Sequence, residues 1–320
     1  MQVLITGGTG LLGRAIVSGL LSRGDEAVVV SRNAARAEAV LPAAAQILVA
    51  DAAEPGPWLD RVRQADAVIN LIGDNVGQGL WTGRKRRRLR RSRLRPTSLL
   101  AAALRERDRP AILLSASATG YYGDGGEQAL GEDAELGRDF LAILCHEWER
   151  SAMRAESERC RVVCLRFGVV LARDGGALPR LLPLFRRGLG GPLGHGRQYF
   201  AWIHLQDAVR AVLFALDTPA VRGPVNVTTP NPPPQREFAQ VLGAAVGRSA
   251  RWPTPAWVLR LLLGEKGRML LRSQRAVPNR LKAHGFRWEF ADLDRALTDL
   301  LSGPAAPTAV ERRISSGEPR

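Results

Sequence analysis

The chain has 320 residues, enough for one large α/β unit or for a nucleotide domain with a smaller companion, and either buries an ample core. Its net charge of +15 is concentrated in RKRRRLRRSRLR (84–95), which holds nine basic residues, no acid and no aromatic side chain to stack on bases, so a solvated helix face is expected there and nucleic-acid binding is disfavoured. No run of 18 or more apolar residues occurs and MQVLITGGTG enters a strand at once without a basic leader, which argues against a membrane span or secretory signal and makes the cytoplasm the expected compartment.

In chain order, QVLITG predicts a first strand, and TGGTGLLG (6–13) follows it directly and opens an apolar-periodic helix near 12–23. Gly7, Gly10 and Gly13 stand three apart, and Gly8, Gly10 and Gly13 fit G-x-G-x-x-G. The turn needs unusual backbone angles, and a Cβ would hold a pyrophosphate away from the helix N-terminus. With Thr9, Leu11 and Leu12 completing the turn, these residues are the expected diphosphate cradle. A second strand, AVVVSR, ends at Ser31 and Arg32, where a carboxylate would select NAD; serine and arginine instead suit a 2′-phosphate, so NADP(H) is the expected cofactor. AQILVAD ends at Asp51, placed either to accept from the adenine amino group or to cap a helix. AVINLIG closes beside the cofactor with Leu71 and Gly73.

Helices are expected near 56–63, 84–107 and 138–158; AILLSAS forms a fifth strand carrying Ser115 to the cofactor edge, and RVVCLRFGVVL (161–171) a sixth. These elements predict an α/β fold, a Rossmann-type doubly wound parallel sheet over residues 1–170, with a segment at about 199–228 returning to it. Beyond residue 171, glycine and proline cluster in GLGGPLGHGRQ and TTPNPPPQ, which predicts a smaller substrate-side domain over 171–300, and 302–320 reads as a disordered tail. Arg197 is the candidate to hold an anionic small-molecule substrate, and His204, just before Asp207, is either an acid/base on the substrate or a structural histidine. Cys145, Cys160 and Cys164 have no metal-ligand spacing, and no metal is expected. An apolar edge on the basic helix or on helix 138–158 serves either the core or a homodimer.

TGGTGLLG, NLIGDNVGQGLWT, SASATGYYGD, FLAILCHEWE, GLGGPLGHGRQYFAWIHLQD and the ending LLLGEKGRMLLRSQRAVPNRLKAHGFRWEF resemble the atypical extended short-chain dehydrogenase/reductases. More narrowly, they resemble the epimerase family proteins of subgroup 39U, which end in a small domain of unknown function. The resemblance covers about residues 1–300 and implies a Rossmann domain, bound NADP(H) and a C-terminal substrate domain, but no assigned reaction. One plant and cyanobacterial branch is associated with chloroplast or cell division, so a regulatory, non-catalytic role is the alternative to an oxidoreductase or epimerase. The resemblance also implies that Ser117 bonds the substrate oxygen and that Phe167, Gly168 and Val169 lie along the nicotinamide. Typical relatives carry a proton-transferring tyrosine and, four residues later, a lysine that binds the nicotinamide ribose. Aligned on Glu149, those positions hold Leu141 and Cys145, which join Leu144, Trp148 and Ala152 in an apolar stripe. Tyr121 and Tyr122, two of only three tyrosines, stand at the expected mouth of the site and are the remaining phenolic candidates.

Overall fold

The first half of the chain alternates strand and helix: β1 (Gln2–Thr6), α1 (Leu11–Ser22), β2 (Glu26–Ser31), α2 (Ala34–Glu38), β3 (Gln46–Val49), α3 (Trp58–Gln64), β4 (Ala67–Asn70), α4 (Gly83–Arg105), β5 (Ala111–Ala118), a 3-10 turn (Thr119–Tyr122), β6 (Ala129–Leu130), α5 (Phe140–Met153) and β7 (Cys160–Phe167). The computed structural model describes residues 1–302; the tail expected at 302–320 lies outside them except for Ser302, which ends the last helix. Seven strands form one parallel sheet in the order β11-β7-β5-β4-β1-β2-β3, where β11 (Gly223–Val227) pairs with β7 and brings the later segment back to the first domain.

Alternation along each strand loads both faces of this sheet. Ile5, Val29, Leu114 and Val163 face one layer and pack with Ile16 and Leu20 of α1 and Val212 of α7 (Leu205–Asp217). Leu4, Val68, Leu113 and Val162 face the other and pack with Val62 of α3 and Leu100 and Leu104 of α4. The order of connection reverses between β1 and β4, which opens a crevice at the C-terminal edge of the sheet where the glycine turn sits.

The run 161–171, expected as one strand, is two. It breaks at Gly168, where a Cβ would stand 2.9 Å from the Ala201 carbonyl oxygen. Beyond it β8 (Val169–Ala172) joins a second sheet with β9 (Gly175–Gly176) and β10 (Trp202–His204), in the order β10-β8-β9. The helix expected at 138–158 ends at Met153, and α2, capped by the Asn33 side chain accepting from Arg36 N at 2.9 Å, is an element the apolar periodicity does not predict.

The C-terminal part contains α6 (Leu178–Arg186), α8 (Gln235–Ala245), α9 (Ala256–Leu263), α10 (Glu265–Leu270), β12 (Arg275–Ala276), α11 (Asn279–Ala283) and α12 (Leu293–Ser302). Its core gathers Leu178, Phe185, Trp202, Phe238, Leu242 and Leu297. It clasps the first domain through Lys266, whose Nζ donates to the Gly77 and Gly79 carbonyls at 3.0 Å, and through an Arg86–Glu265 ion pair. Among the described residues no helix is long and apolar enough to cross a membrane, and no cluster of three His, Cys, Asp or Glu side chains is placed to hold a metal.

Candidate functional site

The glycine turn is built for close approach. Gly7 has φ +75°, and a Cβ there would lie 2.8 Å from the Leu71 carbonyl; a Cβ at Gly13 would lie 2.4 Å from the Gly7 oxygen. The turn is therefore sealed against the end of β4 on one side and against α1 on the other. Helix α1 starts after Gly10 with no side-chain cap, so the first-turn amides of Leu11, Leu12 and Gly13 aim at the crevice with no side chain over them. Such a cradle fits a dinucleotide diphosphate.

At the end of β2, Ser31 is engaged locally: its Oγ donates to Asn33 O at 3.1 Å. Arg32 is exposed, and among the described residues no carboxylate pairs with it, which leaves a guanidinium available at the end of β2. Asp51 is exposed and accepts from Ala53 N at 2.9 Å, so it caps a turn rather than a helix, and its second oxygen has no partner among the described residues.

The floor of the crevice is a buried polar network. Thr6 donates to Asn70 Oδ1 at 2.8 Å, and Asn70 Nδ2 donates to Thr97 Oγ1 at 2.8 Å and to Ser115 Oγ at 3.2 Å. Trp148 Nε1 also donates to Thr97, at 3.0 Å. This pins β1, β4, β5, α4 and α5 in register, and Ser115, expected at the cofactor edge, is a buried member of it.

A second network removes most of the expected catalytic hydroxyls. Ser117 is buried and donates to Glu149 Oε1 at 2.6 Å. Glu149 is gripped by Arg166 in a two-point fork, Nε to Oε1 and Nη2 to Oε2, each 2.8 Å. Arg166 Nη1 donates to the Tyr122 hydroxyl at 2.9 Å, and that hydroxyl donates to Asn226 Oδ1 at 2.7 Å. Burial pushes the Tyr122 phenol up to about 12, so it stays protonated. Ser117 and Tyr122, expected to manage a substrate oxygen, are thus structural members of a satisfied buried cluster.

Tyr121 differs. It is half-buried, its ring lies under the Arg166 guanidinium at 3.5 Å and beside His146 at 6.2 Å, and among the described residues its hydroxyl makes no hydrogen bond. Leu141 and Cys145 face Gly120, whose Cβ would stand 3.6 Å and 3.8 Å from them, at the back of the 3-10 turn. Burial pushes the Cys145 thiol up to about 12, which closes it to proton transfer near neutrality. Phe167 closes β7 beside Ala118, and Gly168 and Val169 cross from the main sheet to the small one at the same edge.

Arg197, expected to hold a substrate, is exposed on the 188–198 loop. His204 corrects the acid/base alternative: its Nδ1 caps α7 by accepting from Gln206 N at 3.1 Å, its Nε2 meets Asp299 at 3.2 Å, and its ring stacks on Phe290 at 3.9 Å. A groove of about 580 Å³ on the outer face of α4, between Pro55 and Leu94, and one of about 790 Å³ lined by Tyr122, Asp133, Asp139 and Arg272 both exclude residues of the glycine turn. In the basic run, Lys85 and Arg88 pair with Asp74, Arg86 with Glu265, Arg90 with Glu147, and Arg91 and Arg95 with Glu54. Six of the nine basic side chains thus have a carboxylate partner, but only four carboxylates serve them, so the run keeps a net positive charge.

The model of the NAD dependent epimerase/dehydratase family matches residues 3–228. The chain belongs to that family. A second model, a domain of unknown function (DUF1731), matches residues 254–300. The chain is 36% identical to the chloroplastic epimerase family protein SDR39U1 homolog of Arabidopsis thaliana, over 94% of this chain and 87% of that protein. The crystal structure of human epimerase family protein SDR39U1 with NADPH superposes with a TM-score of 0.81 at 34% identity, covering 94% of this chain and 99% of that one. A nucleoside-diphosphate sugar epimerase from Corynebacterium glutamicum gives a TM-score of 0.76 at 28% identity, over all of this chain and 62% of the other. Two features are not conveyed by the sequence pattern: the cluster that joins Glu149 to Arg166 and Tyr122 to Asn226, and the inward turn of Arg93, whose Nη2 donates to Asp74 O at 3.1 Å.

Proposed function

We propose that this protein binds NADP(H) and acts as an oxidoreductase or epimerase of the extended short-chain type on a small anionic substrate. The observation that carries the reading is the uncapped glycine cradle at the start of α1 with Arg32, which has no carboxylate partner among the described residues, at the end of β2, two features that suit a diphosphate and a 2′-phosphate respectively. The human relative, crystallised with NADPH, supports the choice of cofactor, and the Corynebacterium glutamicum neighbour supports a nucleotide-linked substrate. When bound, the cofactor supplies or accepts a hydride at a carbinol or carbonyl carbon. The chain's part is to position that carbon and to handle the proton on its oxygen. Tyr121 takes this role, as the phenol at the site mouth whose ring contacts the Arg166 guanidinium but whose hydroxyl makes no hydrogen bond among the described residues. Arg197 holds the substrate's negative charge, and Phe167 to Val169 border the nicotinamide end.

A substrate screen followed by NADPH absorbance tests this reading. Turnover is expected, with loss of at least about 100-fold in Tyr121→Phe and little change in Tyr122→Phe. Undiminished turnover in Tyr121→Phe removes Tyr121 from the mechanism. A second reading, cofactor-dependent partner binding without catalysis, is favoured by the consumption of Ser117 and Tyr122 in structural bonds and by the protonated Cys145 thiol. It predicts tight NADPH binding with no turnover across carbonyl compounds and sugar nucleotides.

A further inference from the structure

Arg93 is the member of the basic run that turns inward. It is half-buried, with Nη1 donating to Leu89 O at 3.2 Å and Nη2 to Asp74 O at 3.1 Å, and its guanidinium carbon stands 5.1 Å over the Trp148 ring. No described carboxylate pairs with it, because that of Asp74 is held by Lys85 at 2.8 Å and Arg88 at 2.7 Å. From α5 the groups facing it are the Trp148 ring and Cys145, which stays a neutral thiol, and neither brings a counter-charge. A cation withdrawn from water without an anion is costly, and it persists where something else gains from it.

Its location says what gains. A Cβ on Gly73 would lie 3.0 Å from the Arg93 guanidinium carbon, and the residues just before Gly73, Leu71 and Ile72, abut Gly7 of the glycine turn. Arg93 therefore borders the same crevice from the β4 side, while Arg32 stands at the end of β2 on the other side of the switch point. A dinucleotide lying across that point with its adenosine half over β2 must lay its other half over β4 and β5.

We infer that Arg93 is a binding residue for the nicotinamide half of NADP(H), a guanidinium supplied by α4 where α5 offers only Cys145. Its remaining N–H groups donate to ribose hydroxyl or phosphate oxygens of that half. The assignment rests on the cofactor reading above, and the test separates the two. Calorimetric titration of the full chain with NADPH and with adenosine 2′,5′-bisphosphate, which carries the adenine half alone, is made for the wild type, Arg93→Gln and Arg93→Lys. The wild type binds both ligands. Arg93→Gln weakens NADPH roughly tenfold or more and leaves the bisphosphate within about twofold, and Arg93→Lys recovers part of the loss. Equal weakening of both ligands, or none, overturns the role of Arg93 while the cofactor reading stands. A wild type that binds neither ligand refutes both. Should Arg93→Gln not fold, Arg93→Lys, which keeps the charge and loses the planar fork, carries the same comparison of ligands.

Discussion

Replacing Glu149 with alanine strips Arg166 of its carboxylate in a site where the arginine side chain is 3% and the glutamate side chain 10% exposed. Two charge-assisted bonds of 2.8 Å are lost, the Ser117 hydroxyl loses its 2.6 Å acceptor, and the guanidinium is left buried with the Tyr122 hydroxyl and the Glu132 carbonyl as its hydrogen-bond acceptors among the described residues and no carboxylate. Breaking one partner of a buried pair costs about 3–5 kcal/mol, against a total stability of about 5–15 kcal/mol for a folded domain. Urea unfolding followed by circular dichroism should show the midpoint falling by about a fifth or more with an unchanged slope. Arg166→Met added to Glu149→Ala should recover much of the loss, because an apolar replacement of the whole pair leaves no orphan charge. A single variant destabilised by less than about 1 kcal/mol, or a double variant worse than the single, would refute the view that this cluster, with Ser117 and Tyr122 in it, is structural.

Arg32→Ala should weaken NADPH by about 1.5–3 kcal/mol and leave NADH unchanged, read as the ratio of their dissociation constants; equal losses for the two would remove Arg32 from phosphate recognition. Burial holds His204 below its ordinary 6.5, so the ring is neutral when folded, and the unfolded chain takes up the proton first as pH falls. The stability it contributes is full above about pH 6.5 and is lost as pH falls through the lower folded value; His204→Asn, which keeps a capping side chain but does not titrate, should flatten the fall in urea midpoint between about pH 7 and 5. All three cysteines are buried, with Cys145 pushed up to about 12 and Cys160 to about 11. A thiol reagent at pH 8 should therefore label none in the native protein and all three in denaturant, and rapid native labelling of Cys145 would contradict its placement against Gly120.

Local chemistry made the nucleotide half of the molecule legible. The glycine spacing directly after an apolar strand locates the cradle because each glycine answers a contact within a few residues or across one strand pair. The stripe of Leu144, Cys145, Trp148 and Ala152 is buried as helical periodicity requires. What stayed hidden depends on partners distant in sequence. Ser117 meets Glu149 32 positions away, and Tyr122 meets Asn226 104 positions away; no local pattern distinguishes such a bonded hydroxyl from a catalytic one. Arg93 is one arginine among many in a basic run, and its inward turn follows from what α5 and Gly73 present to it. Gly168 ends β7 because Ala201 approaches it from another sheet, which an unbroken apolar run such as RVVCLRFGVVL does not reveal.

The most direct test is titration of the purified chain with NADPH alongside Gly13→Val, whose side chain would begin 2.4 Å from the Gly7 oxygen and push the glycine turn off the start of α1. The wild type should bind NADPH in the micromolar range or tighter, with Gly13→Val folded and binding at least about 100-fold more weakly, a loss of about 2.7 kcal/mol or more. A wild type with no affinity for NADPH, or a valine variant that binds as well as the wild type, would contradict a dinucleotide held at the start of α1.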